Sequence, residues 1–259
     1  MGRAGDRGGP HLSATGPAGE GETFDRLVRE GGDFNPFTED GWATLGRRFR
    51  VASAGREGLA ILDIGCGTGR SQAIYARSAR SYVGLDLSLE ALRAARARAP
   101  SQPWIQADAC RLPCAAQSFD VAAFSSVLHH IPDRAAALAE AFRVLRPGGL
   151  LFAFDPNVLH PAMALFRHPS SPFYNAEGVS PHERPLLPSV LRREVQTAGF
   201  VNVAQRAQSD IPYRAVAPRR LNAILGAYNR LDRLWELSGL GRWFGTFIVS
   251  WGRVPEARG

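Results

Sequence analysis

Between residues 60 and about 155, short apolar runs alternate with longer stretches whose apolar positions recur at helical spacing. That alternation predicts parallel strands joined by helices, and hence a layered α/β domain. The first run, Ala60-Ile61-Leu62-Asp63-Ile64, leads directly into Gly65-Cys66-Gly67-Thr68-Gly69, and a helix is expected from about Arg70 to Ser78. A second strand is expected over Tyr82 to Asp86. Ser88 is placed to cap the next helix, in which Leu89, Leu92, Ala95 and Ala99 form an apolar face with the arginines outside it. Trp104 to Ala107 and Asp120 to Ser125 read as strands three and four. Asp133 opens a helix that Pro147-Gly148-Gly149 stops before strand five, Leu150 to Phe154. A helix over Ser189 to Ala198, ended by Gly199, then precedes strands over Val201 to Gln205 and Phe247 to Val254.

Three segments break the alternation. Residues 1–22, rich in glycine and polar residues, read as a disordered tail ahead of one domain over residues 23–259. Phe24 to Arg50 reads as one or two helices placed to close over a ligand. Residues 155–187 carry six prolines together with Phe166, Phe173 and Tyr174, and leave the carboxyl end of strand five. Open parallel sheets bind ligands at that end, so this connection is expected to form a substrate lid. A second insert, 206–240, contains a helical stripe of Leu221, Leu225, Tyr228, Leu231 and Trp235, for which core packing is the simpler expectation.

Composition narrows the class without naming an activity. The chain has 259 residues, 45% of them hydrophobic and 21% charged, as in ordinary globular domains. The apolar runs fall short of the roughly 18 residues that a transmembrane helix needs, and no signal-peptide core is visible, so a cytoplasmic protein is expected. All 31 basic residues are arginine, and they scatter along helices rather than gathering into a nucleic-acid patch. Cys110 and Cys114 stand three residues apart, but no second Cys or His pair completes a metal site.

The candidate chemistry lies at the strand ends. Glycines at 65, 67 and 69 let a backbone approach a ligand closely, and Cys66 belongs to the same turn. A dinucleotide fingerprint would need glycine where Arg70 stands, which argues against a nicotinamide-dependent dehydrogenase. Asp86, ending strand two, is placed to accept from both hydroxyls of a ribose, with Leu87 beside it. Asp108 can accept from an adenine amine, and Ala109 leaves space for the ring. Asp63, in an apolar strand, needs a partner, either a ligand's ammonium or nearby backbone amides. His129 and His130 follow strand four, where a proton acceptor would be useful; His130 is the first candidate base and His129 the second. His160, His168 and His182 are weaker candidates, and Asn157 is a candidate for positioning a hydroxyl or for a plain turn.

The ordered set Ile61–Gly69, Gly84-Leu-Asp-Leu-Ser88, Ala107-Asp-Ala109, Ser118-Phe-Asp-Val121, Leu128-His-His-Ile131 and Arg143–Gly149 resembles the class I S-adenosylmethionine (SAM)-dependent methyltransferases, including quinone and small-molecule methylating enzymes. The resemblance covers residues 60–155. It implies a Rossmann-like, seven-stranded, mostly parallel sheet with helices on both faces and the last strand antiparallel. It also implies SAM across the carboxyl ends of the first strands, with S-adenosylhomocysteine as product. Carried over by position, Asp63, Gly65, Gly67 and Gly69 face the methionine part, Asp86 and Leu87 the ribose, Asp108 and Ala109 the adenine, and Ser126 the strand-four lip. The expected acceptor is a small or medium-sized organic molecule, natural-product or glycan-like, methylated at oxygen. Carbon or nitrogen transfer to a quinone- or lipid-like acceptor, or binding of SAM without turnover, stand as alternatives. A nucleic-acid acceptor is disfavoured, because Ser125-Ser126-Val127-Leu128 occupies the place of an Asn/Asp-Pro-Pro-Tyr motif.

Overall fold

A computed structural model describes residues 17–31, 35–174, 180, 182–214 and 219–256. Two helices come first, α1 (Pro17–Gly31) and α2 (Glu39–Ala52). They are followed by β1 (Leu59–Ile64), α3 (Gln72–Tyr75), β2 (Ala79–Asp86), α4 (Leu89–Arg98), β3 (Trp104–Gln106) and β4 (Phe119–Ser125). A 3₁₀ turn over Leu128–His130 precedes α5 (Arg134–Val144), β5 (Leu145–Pro156), α6 (Pro161–Phe166), α7 (Pro188–Thr197) and β6 (Val201–Gln208). The last elements are α8 (Leu225–Leu237), α9 (Gly241–Phe244) and β7 (Phe247–Arg253).

The seven strands form one sheet in the order β3-β2-β1-β4-β5-β7-β6. β7 runs antiparallel to both its neighbours, and the pairs among β1 to β5 are parallel. This is the doubly covered, Rossmann-like sheet that the alternation and the resemblance imply. Two apolar layers hold it. Leu59 and Ile61 of β1 pack toward Leu45, Phe49, Tyr75 and Phe152 on one face, while Leu62 and Ile64 pack toward Leu138, Val144 and Leu191 on the other. Strand periodicity therefore puts Asp63 on the face of Ile61, inside the aromatic layer.

Local chemistry explains where the elements begin and end. Ser88 accepts from the Ala91 amide and Asp133 from the Ala136 amide, so both expected caps form. α3 is shorter than expected because the Ser78 carbonyl takes the Leu59 amide, committing the chain to β2 from Ala79. β5 begins at Leu145, earlier than expected, and absorbs Pro147-Gly148-Gly149 in a register shift against β4, with Gly148 at φ +73°. α4 buries Ala91, Leu92 and Ala95, whereas Leu89 is largely exposed.

The tail is shorter than its composition suggested: α1 already starts at Pro17, and residues 1–16 lie outside the described residues. Gly21 lets α1 sit directly on Leu87, where an added Cβ would stand 3.2 Å from Leu87 Cγ. Asp25 fixes the helix there by accepting from the Ser88 hydroxyl and the Glu90 amide. The stripe assigned to core packing is divided. Leu225 is buried and Tyr228 and Trp235 partly so, but Leu231 points out to solvent; the Leu221 side chain lies outside the described residues. Among the described residues no helix is long and apolar enough to cross a membrane.

Phe152 joins Phe49, Tyr75 and Phe154 in the aromatic layer under β1. Phe152→Ala is expected to destabilise the fold by about 3–5 kcal/mol, read from urea unfolding. A midpoint equal to wild type would mean this layer does not carry the sheet.

Candidate functional site

The carboxyl ends of β1, β2 and β4 open into a cavity of about 1020 Å³. Its floor includes Gly65, Cys66, Gly67, Asp86, Leu87, Asp108, Ala109 and Ser126. The helices before the sheet close one side with Phe24, Leu27 and Trp42, and the segment after β5 contributes Met163, Phe166 and Glu183. Tyr213, Ile224 and Leu225 complete the wall from the later insert. Phe173 and Tyr174, expected in the lid, do not line the cavity; residues 175–179 and 181 lie outside the described residues.

The glycine turn is built for close approach. A Cβ on Gly65, at φ +72°, would stand 2.4 Å from the Val127 side chain. One on Gly67, at φ +53°, would meet nothing within 4 Å, so the turn leaves open space over its backbone. The Gly67 amide donates to Asp86 Oδ2 at 2.7 Å, and the Ser88 amide to Oδ1 at 2.9 Å. With the Leu87 amide a third donor, the Asp86 carboxylate still keeps lone-pair capacity for a further donor, while burial raises its pKa above the usual carboxylate range. Asp108 Oδ1 accepts from the Cys110 amide at 2.9 Å. Ser126 lies in the left-handed region at φ +59°, a strained conformation at the rim of the site.

Asp63 is placed differently from the expectation. It does not line the cavity but lies fully buried beneath the turn. Three hydroxyls, rather than a ligand's ammonium or backbone amides, satisfy it: Ser125 at 2.5 Å, Ser71 at 2.6 Å and Tyr82 at 2.7 Å. Tyr75 in turn bonds Ser125 at 2.8 Å. Burial lifts the Asp63 pKa to about 6 against the downward pull of these hydroxyls.

Both histidines line the cavity, their rings 4.0 Å apart. Asp155 Oδ1 accepts the His129 backbone amide at 3.1 Å and lies 2.8 Å from its Nδ1. An acceptor already facing one N–H selects the tautomer with hydrogen on Nδ1, leaving the Nε2 lone pair free. Burial, aided by Arg167, pushes His129 down to about 3, and burial pushes Asp155 well up. His130 Nδ1 lies 2.7 Å from the Ser180 hydroxyl, and burial likewise drives its pKa well down. Phe24 packs edge-on against its ring at 5.1 Å. His160, His168 and His182 do not line the cavity. Asn157 is a turn residue, donating to the Gly245 carbonyl and accepting the Leu159 amide.

Asp155 was not singled out from sequence, although it ends an apolar strand as Asp63 does, and the same reasoning would have found it. Glu20 was also missed, because it lies in the segment read as tail. Its Oε1 accepts the His182 amide, while its buried Oε2 lies 3.7 Å from His130 Nδ1 and has no hydrogen-bond partner among the described residues.

Comparison with known proteins gives this arrangement a context. Residues 62–153 match the family model for a methyltransferase domain. A demethylmenaquinone methyltransferase of Renibacterium salmoninarum is 38% identical over 122 residues, 47% of this chain and 51% of that protein. A probable S-adenosylmethionine-dependent methyltransferase of Mycolicibacterium smegmatis is 34% identical over 156 residues, 60% of this chain and 55% of that protein. The chain therefore spans about half the length of these relatives. A Haemonchus contortus phosphoethanolamine N-methyltransferase 2, solved with S-adenosyl-L-methionine, shares the fold at a TM-score of 0.63 and 18% identity, over 90% of this chain and 57% of that one. The donor set fits that cofactor: two carboxylates with spare acceptor capacity flank an open glycine turn.

Asp63 makes stability depend on pH in a defined direction. Its folded pKa is raised, so between about pH 4 and pH 6 the native state binds more protons than the unfolded chain. Its contribution is greatest below pH 4 and is lost as pH rises through 6, at about 1.4 kcal/mol for each pH unit crossed in that interval. Urea unfolding of wild type and Asp63→Asn across this range should show a difference that changes by a few kcal/mol, as an order of magnitude. A difference independent of pH would contradict the burial assigned to Asp63.

Proposed function

From the class I SAM-dependent methyltransferase domain that this chain carries, we propose that it transfers a methyl group to a small or medium-sized organic acceptor with a largely apolar body, at oxygen. One observation carries the reading. The glycine turn with Asp86 and His129, backed by the buried Asp155, border a single cavity whose remaining walls are mostly aromatic and aliphatic. A fully hydroxylated glycan is less well matched to such walls than an acceptor with an apolar body.

Gly65, Cys66 and Gly67 would hold the methionine part of SAM, Asp86 and Leu87 its ribose, and Asp108 and Ala109 its adenine; Gly69, expected with them, does not line the cavity and instead lets the turn pack on Trp104. Ser126 would stand at the β4 lip. The cofactor supplies an electrophilic methyl group on a positive sulfur. The chain's own residues must then bring the acceptor oxygen into line and remove its proton. His129, kept neutral by burial, offers Nε2 to that hydroxyl, and Asp155 steadies the imidazolium once the proton has moved. A ring with so low a pKa is a weak base, so its contribution belongs at the lower end of the usual range, about 10²-fold. His130, tethered to Ser180, stands beside it as the second candidate base.

Methyl transfer to carbon of a quinone-like ring is the second reading, favoured by the relative named as a demethylmenaquinone methyltransferase. The apolar cavity suits that acceptor equally. Three unpaired thiols suit a reducing compartment, in keeping with a cytoplasmic reaction.

Asp86→Ala should weaken SAM binding by about 1–3 kcal/mol in calorimetry, because it strands two ribose hydroxyls. Unchanged affinity would remove the ribose contact. With an acceptor identified by transfer of labelled methyl from SAM into fractionated extract, His129→Ala should lower kcat by about 10²-fold and leave SAM affinity intact. A loss confined to His130→Ala would shift the base to that ring, and equal rates in both variants would show that no histidine base is used.

A further inference from the structure

α8 presents apolar side chains on both sides, with Leu225, Tyr228 and Trp235 turned inward and a second apolar set turned out. Its polar side chains hold it to the protein. Asp232 accepts from the Thr246 hydroxyl and the Asp210 amide, each at 2.8 Å. Glu236 accepts from the Ser209 amide at 3.1 Å and the Arg206 guanidinium at 2.8 Å, and Asn229 pairs with both backbone groups of Tyr213. Three of its four leucines face out: Leu231, Leu234 and Leu237 are 65%, 60% and 73% exposed, while Leu225 is buried. α9 adds Trp243 at 62% exposure, with Arg242 stacked over its ring. A globular helix normally turns its apolar stripe to the core, and a contiguous apolar face left outside marks a contact surface.

The charge on this face selects its occupant. Both carboxylates of α8 are spent on the inner side, so the outward charge is Arg230 and Arg233, joined by Arg242 of α9. Leucine and tryptophan interleaved with arginine is the composition of a helix lying in a membrane interface, with Asp210 near Arg233 at the edge of this face. The chain's formal charge of +7 has the same sign. The face is also continuous with the cavity. Ile224, immediately before α8, lines the cavity while 61% exposed, and Phe166 of α6 does so at 39%.

We propose that the outer face of α8 and α9 is a docking surface for an anionic lipid bilayer, which seats the cavity mouth at the membrane. The apolar side chains enter the headgroup boundary, and the arginines meet lipid phosphates. An apolar acceptor can then pass between bilayer and cavity without crossing water. Docking needs no methyl transfer, so it stands or falls separately from the acceptor proposed above.

The test is co-sedimentation of the full chain with vesicles of phosphatidylcholine alone or of an equimolar mixture with phosphatidylglycerol. Binding to the anionic vesicles is expected, strongly reduced on neutral ones and at high salt. Replacing Arg230, Arg233 and Arg242 by Gln should weaken it by about fivefold per arginine. The exposed substitutions Leu231→Glu, Leu234→Glu and Trp243→Glu should abolish binding without lowering the urea midpoint. Absence of vesicle binding by wild type, or binding undiminished in the glutamate variant, overturns the proposal. So does a dimer in sedimentation velocity that the glutamate variant dissolves while wild type ignores lipid, since the face would then be covered by a second copy.

Discussion

The site depends on one buried carboxylate. Asp63 sits with no solvent exposure near the carboxyl end of β1, an interior strand of the sheet, where an unpaired charge would cost several kcal/mol. Its hydroxyl partners come from different places: Ser71 just before α3, Tyr82 from β2 and Ser125 from the end of β4. Satisfying Asp63 therefore fixes the separation of three strand ends and the path of the glycine turn above them. Ser125 is itself held by Tyr75, so the network reaches into the aromatic layer that carries the sheet. A fault in this cluster would displace the turn and the β4 lip together.

Burial raises the pKa of four acids around that network: Asp86 and Glu183, which line the cavity, and Asp63 and Asp155, which lie behind its wall. Arg134 near Asp155 and Arg167 near Glu183 offset part of the cost of burying these groups. A cationic ligand relieves that cost, which is a physical reason for a sulfonium cofactor to prefer this cavity. The same low-dielectric setting keeps both histidines neutral. Buried acids thus favour a positive ligand while the neighbouring rings stay free to accept a proton.

Much of this was legible in the sequence, for reasons that can be named. Apolar runs at strand spacing and capping residues such as Ser88 and Asp133 are local signals, and both caps form as read. The cavity floor follows from strand ends, so Gly65, Asp86, Asp108 and Ser126 come together at one opening. Pairings between distant segments were not legible. A sequence shows that Asp63 needs a partner but not that three hydroxyls reach it before a ligand does. Asp155 and His129 are 26 residues apart and meet only because β4 and β5 are neighbours. Composition also misled. Glycines made residues 17–22 look unstructured, although Gly21 is what lets α1 lie on Leu87. Of the stripe expected to pack in the core, Leu225, Tyr228 and Trp235 turn inward and Leu231 does not, because spacing reveals a face but not where its edge lies.

The relative sizes of the effects indicate where selectivity resides. Holding an acceptor atom in line with a methyl group can supply roughly 7–11 kcal/mol of the barrier. A general base of about 10²-fold supplies roughly 3 kcal/mol. Alignment outweighs proton transfer, and alignment is set by the walls of the cavity. Those walls come chiefly from α1, α6 and the segment around α8, which lie outside the matched domain over residues 62–153. Proteins sharing the cofactor floor can therefore differ in acceptor while keeping the same turn, the same carboxylates and even the same histidine pair. On the proposed reading, Phe24, Leu27, Met163, Phe166 and Leu225 would specify the acceptor more than His129 or His130. An acceptor that fills those walls brings its own nucleophile to the β4 lip, and the strength of the base becomes the smaller part of the barrier.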